Sequence, residues 1–139
     1  MPIAVKRVYE KASRKDGARV LVDRLWPRGV SKDAAALDLW LRDAAPSDAL
    51  RQWFHAHREA WLLFVKKYLK ELRQPQAAAA LEKLYALKTK RSQLTLLYAS
   101  RDESHNHAHI LKPLMEGMKK PPTGTGPARA ARQRAVRRR

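Results

Sequence analysis

Hydrophobic residues recur along the chain in two patterns, and each pattern predicts a different kind of element. Continuous apolar runs over residues 18–23 and 93–99 are typical of strands buried on both faces, and partial alternation over residues 3–9 predicts a third strand. Apolar stripes at helical spacing predict helices over residues 58–73 and 77–88. The mixed order of strands and helices predicts one compact α/β domain, with a short, mainly parallel sheet flanked by helices.

Capping residues and apolar spacing predict three more helices. Ser31 is the expected cap of the first and Ser47 of the second, because a side-chain oxygen there accepts hydrogen bonds from free backbone amides. The apolar face of the first helix would consist of Leu37, Trp40 and Leu41. The last helix would run from near Ser104 to about Met118, and Pro113 inside it should kink it or shift its start.

Dense polar clusters follow the two buried runs, where each predicted strand ends. The first cluster lies in the loop over residues 23–30, and the second spans residues 100–107. In open α/β sheets, ligands bind just beyond the carboxyl ends of the strands. If the two strands are parallel neighbours, the clusters meet at one crevice. The side chains brought together would be those of Arg24, Arg28, Arg101, Glu103, His105 and His107.

Three arginines of these clusters are candidate anion ligands: Arg24, Arg28 and Arg101. Guanidinium groups bind phosphate or carboxylate through paired hydrogen bonds, and the free amides of a helix start add to that attraction. A structural role fits the sequence equally well. In that interpretation Asp23 and Arg24 pair with each other or with Asp102 and fix the loop.

The only compact acid–base chemistry lies in Glu103, His105 and His107, which are the candidate catalytic residues. The more ordinary role for His107 is that of a residue near a helix start. His105 and His109 have helical i, i+4 spacing and, with Glu103, would offer three metal ligands. The sequence lacks both the zincin pattern and any thiolate, so we predict no metal site.

Sequence motifs do not identify a reaction. The chain has no Gly-rich phosphate loop and no nucleophile elbow, so we predict no cofactor. Whether the protein is an enzyme stays open at this point.

Length and composition narrow the class of protein. A chain of 139 residues suits one domain, and it has no cysteine, which excludes disulfides and thiol nucleophiles. No apolar run is long enough to span a membrane, and the first residues lack the apolar core of a signal peptide. We therefore expect a cytoplasmic protein without a membrane partner.

The net charge of +17 is concentrated towards the end of the chain. Residues 119–139 hold eight Lys and Arg and no acid, whereas the body is at +9. Pro and Gly over residues 121–127 predict a linker, and the Arg/Ala segment after it is expected to be disordered. The residues of this segment that are candidates for binding nucleic acid are Arg129, Arg132, Arg134, Arg137, Arg138 and Arg139. The alternative is a tail that only improves solubility.

Several unusual strings resemble the YeaO-like proteins, the family numbered 488 among the domains of unknown function. They are Leu-Val-Asp-Arg-Leu-Trp-Pro-Arg-Gly at residues 21–29, Ala-Pro-Ser-Asp-Ala-Leu-Arg at 45–51 and Thr-Leu-Leu-Tyr-Ala at 95–99. The resemblance runs in order from residue 3 to about 116. It implies a compact α/β domain over residues 1–118, followed by the tail over 119–139, and it implies no activity.

Two functions fit these features. One is a small domain that binds phosphate or a phosphorylated small molecule and contacts nucleic acid through its tail. The alternative is a non-catalytic nucleic-acid-associated protein in which the polar crevice is structural. The sequence specifies no oligomeric state.

Overall fold

A four-stranded parallel sheet forms the centre of the computed structural model, which describes residues 3–122. Its strands are β1 (Ile3–Arg7), β2 (Ala18–Leu21), β3 (Leu39–Trp40) and β4 (Leu94–Tyr98), in the order β1-β4-β2-β3. The predicted α/β domain with a parallel sheet is confirmed. The predicted disorder of the Arg-rich tail concerns residues outside the described range.

Within residues 3–122, five α-helices accompany the sheet. They are α1 (Lys32–Ala35), α2 (Asp48–Ala56), α3 (Trp61–Glu71), α4 (Pro75–Lys90) and α5 (Ala108–Glu116). Two short 3-10 turns cover Arg14–Asp16 and Arg42–Ala44. No helix within residues 3–122 is long and apolar enough to cross a membrane.

The sheet is buried on both faces because side chains alternate along each strand. On β4, Leu94 and Leu96 belong to the main core, whereas Leu97 belongs to a smaller core on the other face. The main core takes residues from α2, α3, α4 and α5, including the fully buried Tyr68 of α3. The smaller core is completed by partly buried residues such as Trp26 and Trp40, whose rings meet edge to face at 5.3 Å. This burial explains why β2 and β4 appear as continuous apolar runs in the sequence.

The prediction of a helix after Ser31 is wrong beyond the first helical turn. Ser31 does cap α1, since its Oγ accepts from the amide of Ala34 at 3.0 Å, but α1 ends at Ala35. Ala36 then takes a left-handed conformation with φ of 47°, and the chain turns into β3 beside β2. The expected apolar helix face does not exist, because Leu41 packs in the main core while Leu37 and Trp40 pack in the smaller one. Strand pairing therefore outweighs the local helical spacing.

Other helix boundaries differ from the predicted ones by a few residues. The helix α3 begins at Trp61, and α4 begins with Pro75, which suits a first helical position because it has no amide hydrogen to donate. The last helix begins at Ala108 rather than near Ser104, since residues 102–106 form a turn around Asp102. Pro113 lies inside α5.

Candidate anion-binding cleft

The cleft lies at the carboxyl ends of β2 and β4, two neighbouring strands after which the chain continues to opposite sides. After β2 the chain moves to β3, on the far side of β2 from β4. After β4 it moves to α5, which packs against β1. Parallel neighbours with diverging connections leave a crevice at their carboxyl ends. The two polar clusters therefore meet at one cleft, as their positions after β2 and β4 predict.

The cleft has a volume of about 730 Å³, which falls in the range of cavities that bind small molecules. One wall comes from residues 23–28 and another from residues 99–102 and 105–107. A third wall, which sequence reasoning missed, comes from α2, α3 and the turn between them. It consists of Arg51, Phe54, His55, Arg58 and Phe64. No local signal marks these residues, because only the packing of the helices on the sheet brings them to the cleft.

Asp23 and His107 join β2 to the start of α5 at the base of the cleft. His107 Nε2 lies 2.8 Å from the carbonyl oxygen of Val22 and 3.0 Å from Asp23 Oδ1. Both neighbours are acceptors, so Nε2 carries the hydrogen, and its single N–H is directed to the carbonyl. The other carboxylate oxygen of Asp23 accepts from the amide of Ala99 at 2.9 Å, whereas the buried Oδ1 has no well-aligned donor within the described residues.

Arg24 is engaged by its own protein. Its Nε and Nη2 donate to the carbonyl oxygens of Pro46 and Ala45, each at 3.2 Å, and its Nη1 lies 3.7 Å from Asp43. The pairing that the structural interpretation offered, with Asp23 or with Asp102, is not formed. Arg24 instead ties the loop after β2 to the segment that precedes α2.

Arg28 and Arg101 differ from Arg24 because both are exposed and neither guanidinium has an ion-pair or hydrogen-bond partner among residues 3–122. The backbone that carries them is nevertheless held in place. Tyr9 donates from its hydroxyl to the carbonyl oxygen of Arg28 at 2.9 Å. Arg7 donates to the carbonyl oxygens of Ser100 and Ala99 at 2.9 and 3.0 Å. The unpaired guanidinium groups of Arg28 and Arg101 thus belong to two loops that hydrogen bonds hold in place beside the same cleft.

Asp102 organises the loop after β4 and connects it to the helical wall. Its Oδ1 accepts from the amides of Ser104 and His105 at 3.0 and 2.9 Å, and its Oδ2 accepts from Arg58 at 2.6 Å. The backbone hydrogen bonds from His105 and Ser104, supported by Arg58, lower the pKa of Asp102 to about 2. The carboxylate is therefore ionised at neutral pH.

The three candidate catalytic residues do not converge on one point. His107 and His105 line the cleft, but Glu103 is exposed and is not among its lining residues. The ring of His105 meets Trp61 edge to face at 4.8 Å. His109 lies between Asn106 and Tyr98, and its burial lowers its pKa. Within residues 3–122, no group of three His, Asp or Glu side chains is placed to hold a metal ion.

Comparison with known proteins shows the family of this chain. Residues 2–128 match the family model described as the inactive DUF488-N3 subclade. An uncharacterised protein of Mycobacterium tuberculosis strain H37Rv is 42% identical over 115 residues, which cover 83% of this chain and 94% of that protein. The uncharacterised protein YeaO of Escherichia coli K12 is 43% identical over 111 residues, covering 80% and 94%. No solved structure matches. The chain belongs to the YeaO-like DUF488 family, in the branch described as the inactive DUF488-N3 subclade.

Proposed function

We propose that the cleft binds a small phosphate-bearing anion and that the domain acts by binding rather than by catalysis. The observation that carries the proposal is the pair Arg28 and Arg101, two guanidinium groups without partners on braced loops of one cleft. A phosphate accepts paired, charge-assisted hydrogen bonds from such groups. Because the loops are already held, little ordering entropy is lost when the anion binds.

The charge of the whole cleft supports an anionic ligand. Two carboxylates line it, and both have partners, since Asp23 contacts the amide of Ala99 and Asp102 binds Arg58. Five arginines line the same space: Arg24, Arg28, Arg51, Arg58 and Arg101. A concave surface with an excess of positive charge raises the local concentration of anions.

Three observations favour binding over catalysis. Glu103, the predicted acid–base partner of the histidines, is not on the cleft, and the carboxylate beside His107 is that of Asp23. The N–H of His107 is used by a backbone carbonyl of its own protein. The description of the matched family as inactive agrees with this interpretation.

Titration calorimetry with inorganic phosphate and pyrophosphate tests the proposal. Arg28→Ala and Arg101→Ala should each weaken binding about tenfold, because each removes a charge-assisted contact, while the thermal midpoint stays nearly unchanged. Arg91→Ala is the matched control, since Arg91 is exposed and lies just before the amino end of β4, away from the cleft. Failure of the wild type to bind either anion, or a fall in stability without a change in affinity, would contradict the proposal.

The basic tail supports a second activity, which is contact with nucleic acid. Six arginines lie among residues 129–139 without any acid, so several phosphates could be neutralised at once. These residues lie outside the described part of the chain and outside the family match, which ends at residue 128. If only the tail binds, the protein is a non-catalytic nucleic-acid-associated protein with a structural crevice.

A further inference from the structure

We infer that the ligand of the cleft is a nucleotide, whose phosphate meets Arg28 and Arg101 while its base lies against the apolar part of the wall. This inference rests on the proposed function, because it names the class of anion for the same site. It is carried by the combination of unpaired cations with an exposed apolar side chain and planar side chains around one cavity.

The cavity is larger and more apolar than a phosphate ion or a sugar phosphate requires. Its volume is about 730 Å³, and eight of its lining residues are apolar. They are Leu25, Trp26, Pro27, Ala45, Pro46, Phe54, Phe64 and Ala99. A phosphate ion or a sugar phosphate has little apolar surface to place against these side chains. A ligand that fills the site therefore needs an apolar surface beside its charge.

Leu25 is the clearest sign of such a ligand. It lies between Arg24 and Arg28 in the loop after β2 and is 59% exposed, although it lines the cleft. An exposed leucine is common on protein surfaces, but here it stands three residues before an unpaired arginine on the same wall. A ligand that contacts Arg28 is therefore placed to cover Leu25 as well.

Planar side chains on the opposite wall favour an aromatic ligand over a flexible apolar chain. The guanidinium of Arg58 lies 5.2 Å from the ring centre of Phe54, and its side chain is 47% exposed. The exposed imidazole of His55 lines the same wall, and that of His105 lines the wall formed by the loop after β4. Nucleobases stack on guanidinium planes and aromatic rings, and each stacked base contributes about 1–3 kcal/mol.

Base identity should matter little at this site. The side-chain amide of Asn106, the one carboxamide on the cleft wall, donates to the carbonyl oxygen of Asp102 and accepts from the amide of His109. Without a free carboxamide, the described wall lacks the side chain that usually reads the edge of adenine. Stacking distinguishes bases mainly by ring area, so purines should bind a few-fold tighter than pyrimidines.

The test compares ligands that share a phosphate and differ in the attached group. Full-length protein is titrated with inorganic phosphate, ribose phosphate, octyl phosphate, uridine monophosphate and adenosine monophosphate. Adenosine monophosphate should bind at least about tenfold tighter than ribose phosphate, as expected for one stacked base. Leu25→Ser should reduce that ratio towards one. Leu62→Ser is the matched control, because Leu62 is 80% exposed on α3 and does not line the cleft.

The outcomes separate this inference from the proposed function. If no phosphate compound binds, both fail. If phosphate binds through Arg28 but adenosine monophosphate is no better than ribose phosphate, or octyl phosphate equals it, only the nucleotide assignment is overturned. An equal effect of Leu25→Ser and Leu62→Ser would overturn it as well. The last ligand in the series is a pentanucleotide with a terminal phosphate. If it binds more tightly than adenosine monophosphate and this binding depends on Leu25, the ligand of the cleft is the end of a strand rather than a free nucleotide.

Discussion

Two glycines among the described residues have positive φ, and they differ in how much space surrounds them. Gly17 has φ of 64°, and a Cβ there would lie 2.2 Å from the carbonyl oxygen of Gln93. That oxygen accepts the amide of Ala18 at 3.0 Å and so begins the pairing of β2 with β4. Gly29 has φ of 78°, but apart from its two chain neighbours no atom of the described residues lies within 4 Å of the same position.

Gly17→Ala should therefore lower the free energy of unfolding by at least about 3 kcal/mol, since backbone strain and a backbone clash add together. Gly29→Ala should cost only about 1 kcal/mol, because the left-handed conformation is its sole penalty. Chemical denaturation of both variants measures the difference. Equal losses would show that the close approach of Gly17 to Gln93 is not a constraint on the fold.

In the cleft, the sequence predicts which kinds of side chain are present but not which groups those side chains contact. Arg24 and Arg28 lie in one loop and look alike in the sequence. The guanidinium of Arg24 nevertheless contacts three groups of its own protein, whereas that of Arg28 contacts none among the described residues. The partners of Arg24 are carbonyls and a carboxylate about twenty residues away in the chain. Local pattern carries no information about such contacts, so the sequence left the structural and ligand-binding roles open.

At the scale of elements, the ion pair of Arg58 with Asp102 joins the turn between α2 and α3 to the loop after β4. The pKa of Asp102 is about 2 in the folded protein, below its ordinary value of 3.8. Ionised Asp102 therefore stabilises the fold above about pH 4, and this contribution is lost as the pH falls towards 2.

Asp102→Asn should remove this pH-dependent contribution. The amide keeps an oxygen for the backbone hydrogen bonds of Ser104 and His105 but cannot form the ion pair with Arg58. At neutral pH the variant should be less stable by about 0.5–1 kcal/mol, and the gap to the wild type should close by about pH 2. Urea denaturation at several pH values measures it. Glu103→Gln, at an exposed neighbouring position, is the control, and a gap that stays constant with pH would contradict the assignment.

The sequence predicts helices and strands whose apolar residues form a long stripe or a continuous buried run. It does not predict the short elements. The runs of β2 and β4 and the stripes of α3 and α4 each cover several residues, so their period is visible. Strand β3 has two residues, too few to show any period, and its identity comes from the backbone bonds of Asp38 and Leu41 to β2. The position of the cleft followed from β2 and β4, whereas its helical wall depended on tertiary packing.

At the scale of the whole molecule, the last described residues are attached to the domain. Tyr85 donates from its hydroxyl to the carbonyl oxygen of Lys119 at 2.9 Å, and Lys88 donates to that of Met118 at 2.6 Å. A truncation that tests the tail should therefore keep residues up to Pro122 and remove 123–139. This deletion takes away six arginines and no acid, and it leaves the contacts of α4 intact.

The truncated protein should keep its thermal midpoint but bind nucleic acid more weakly and with less dependence on salt. Each phosphate neutralised on duplex DNA contributes about 0.9 to the slope of log affinity against log salt, so six arginines could change that slope by about five units. A bound duplex does not need to contact all six arginines at once, so about half that change is expected. The loss should be similar for unrelated sequences, because contacts between arginine and phosphate carry no sequence information. A variant with the six arginines replaced by glutamine separates charge from chain length. If full-length and truncated proteins bind duplex and single strands equally at low salt, the tail has no role in binding, and the affinity of this protein for nucleic acid comes from the rest of the chain.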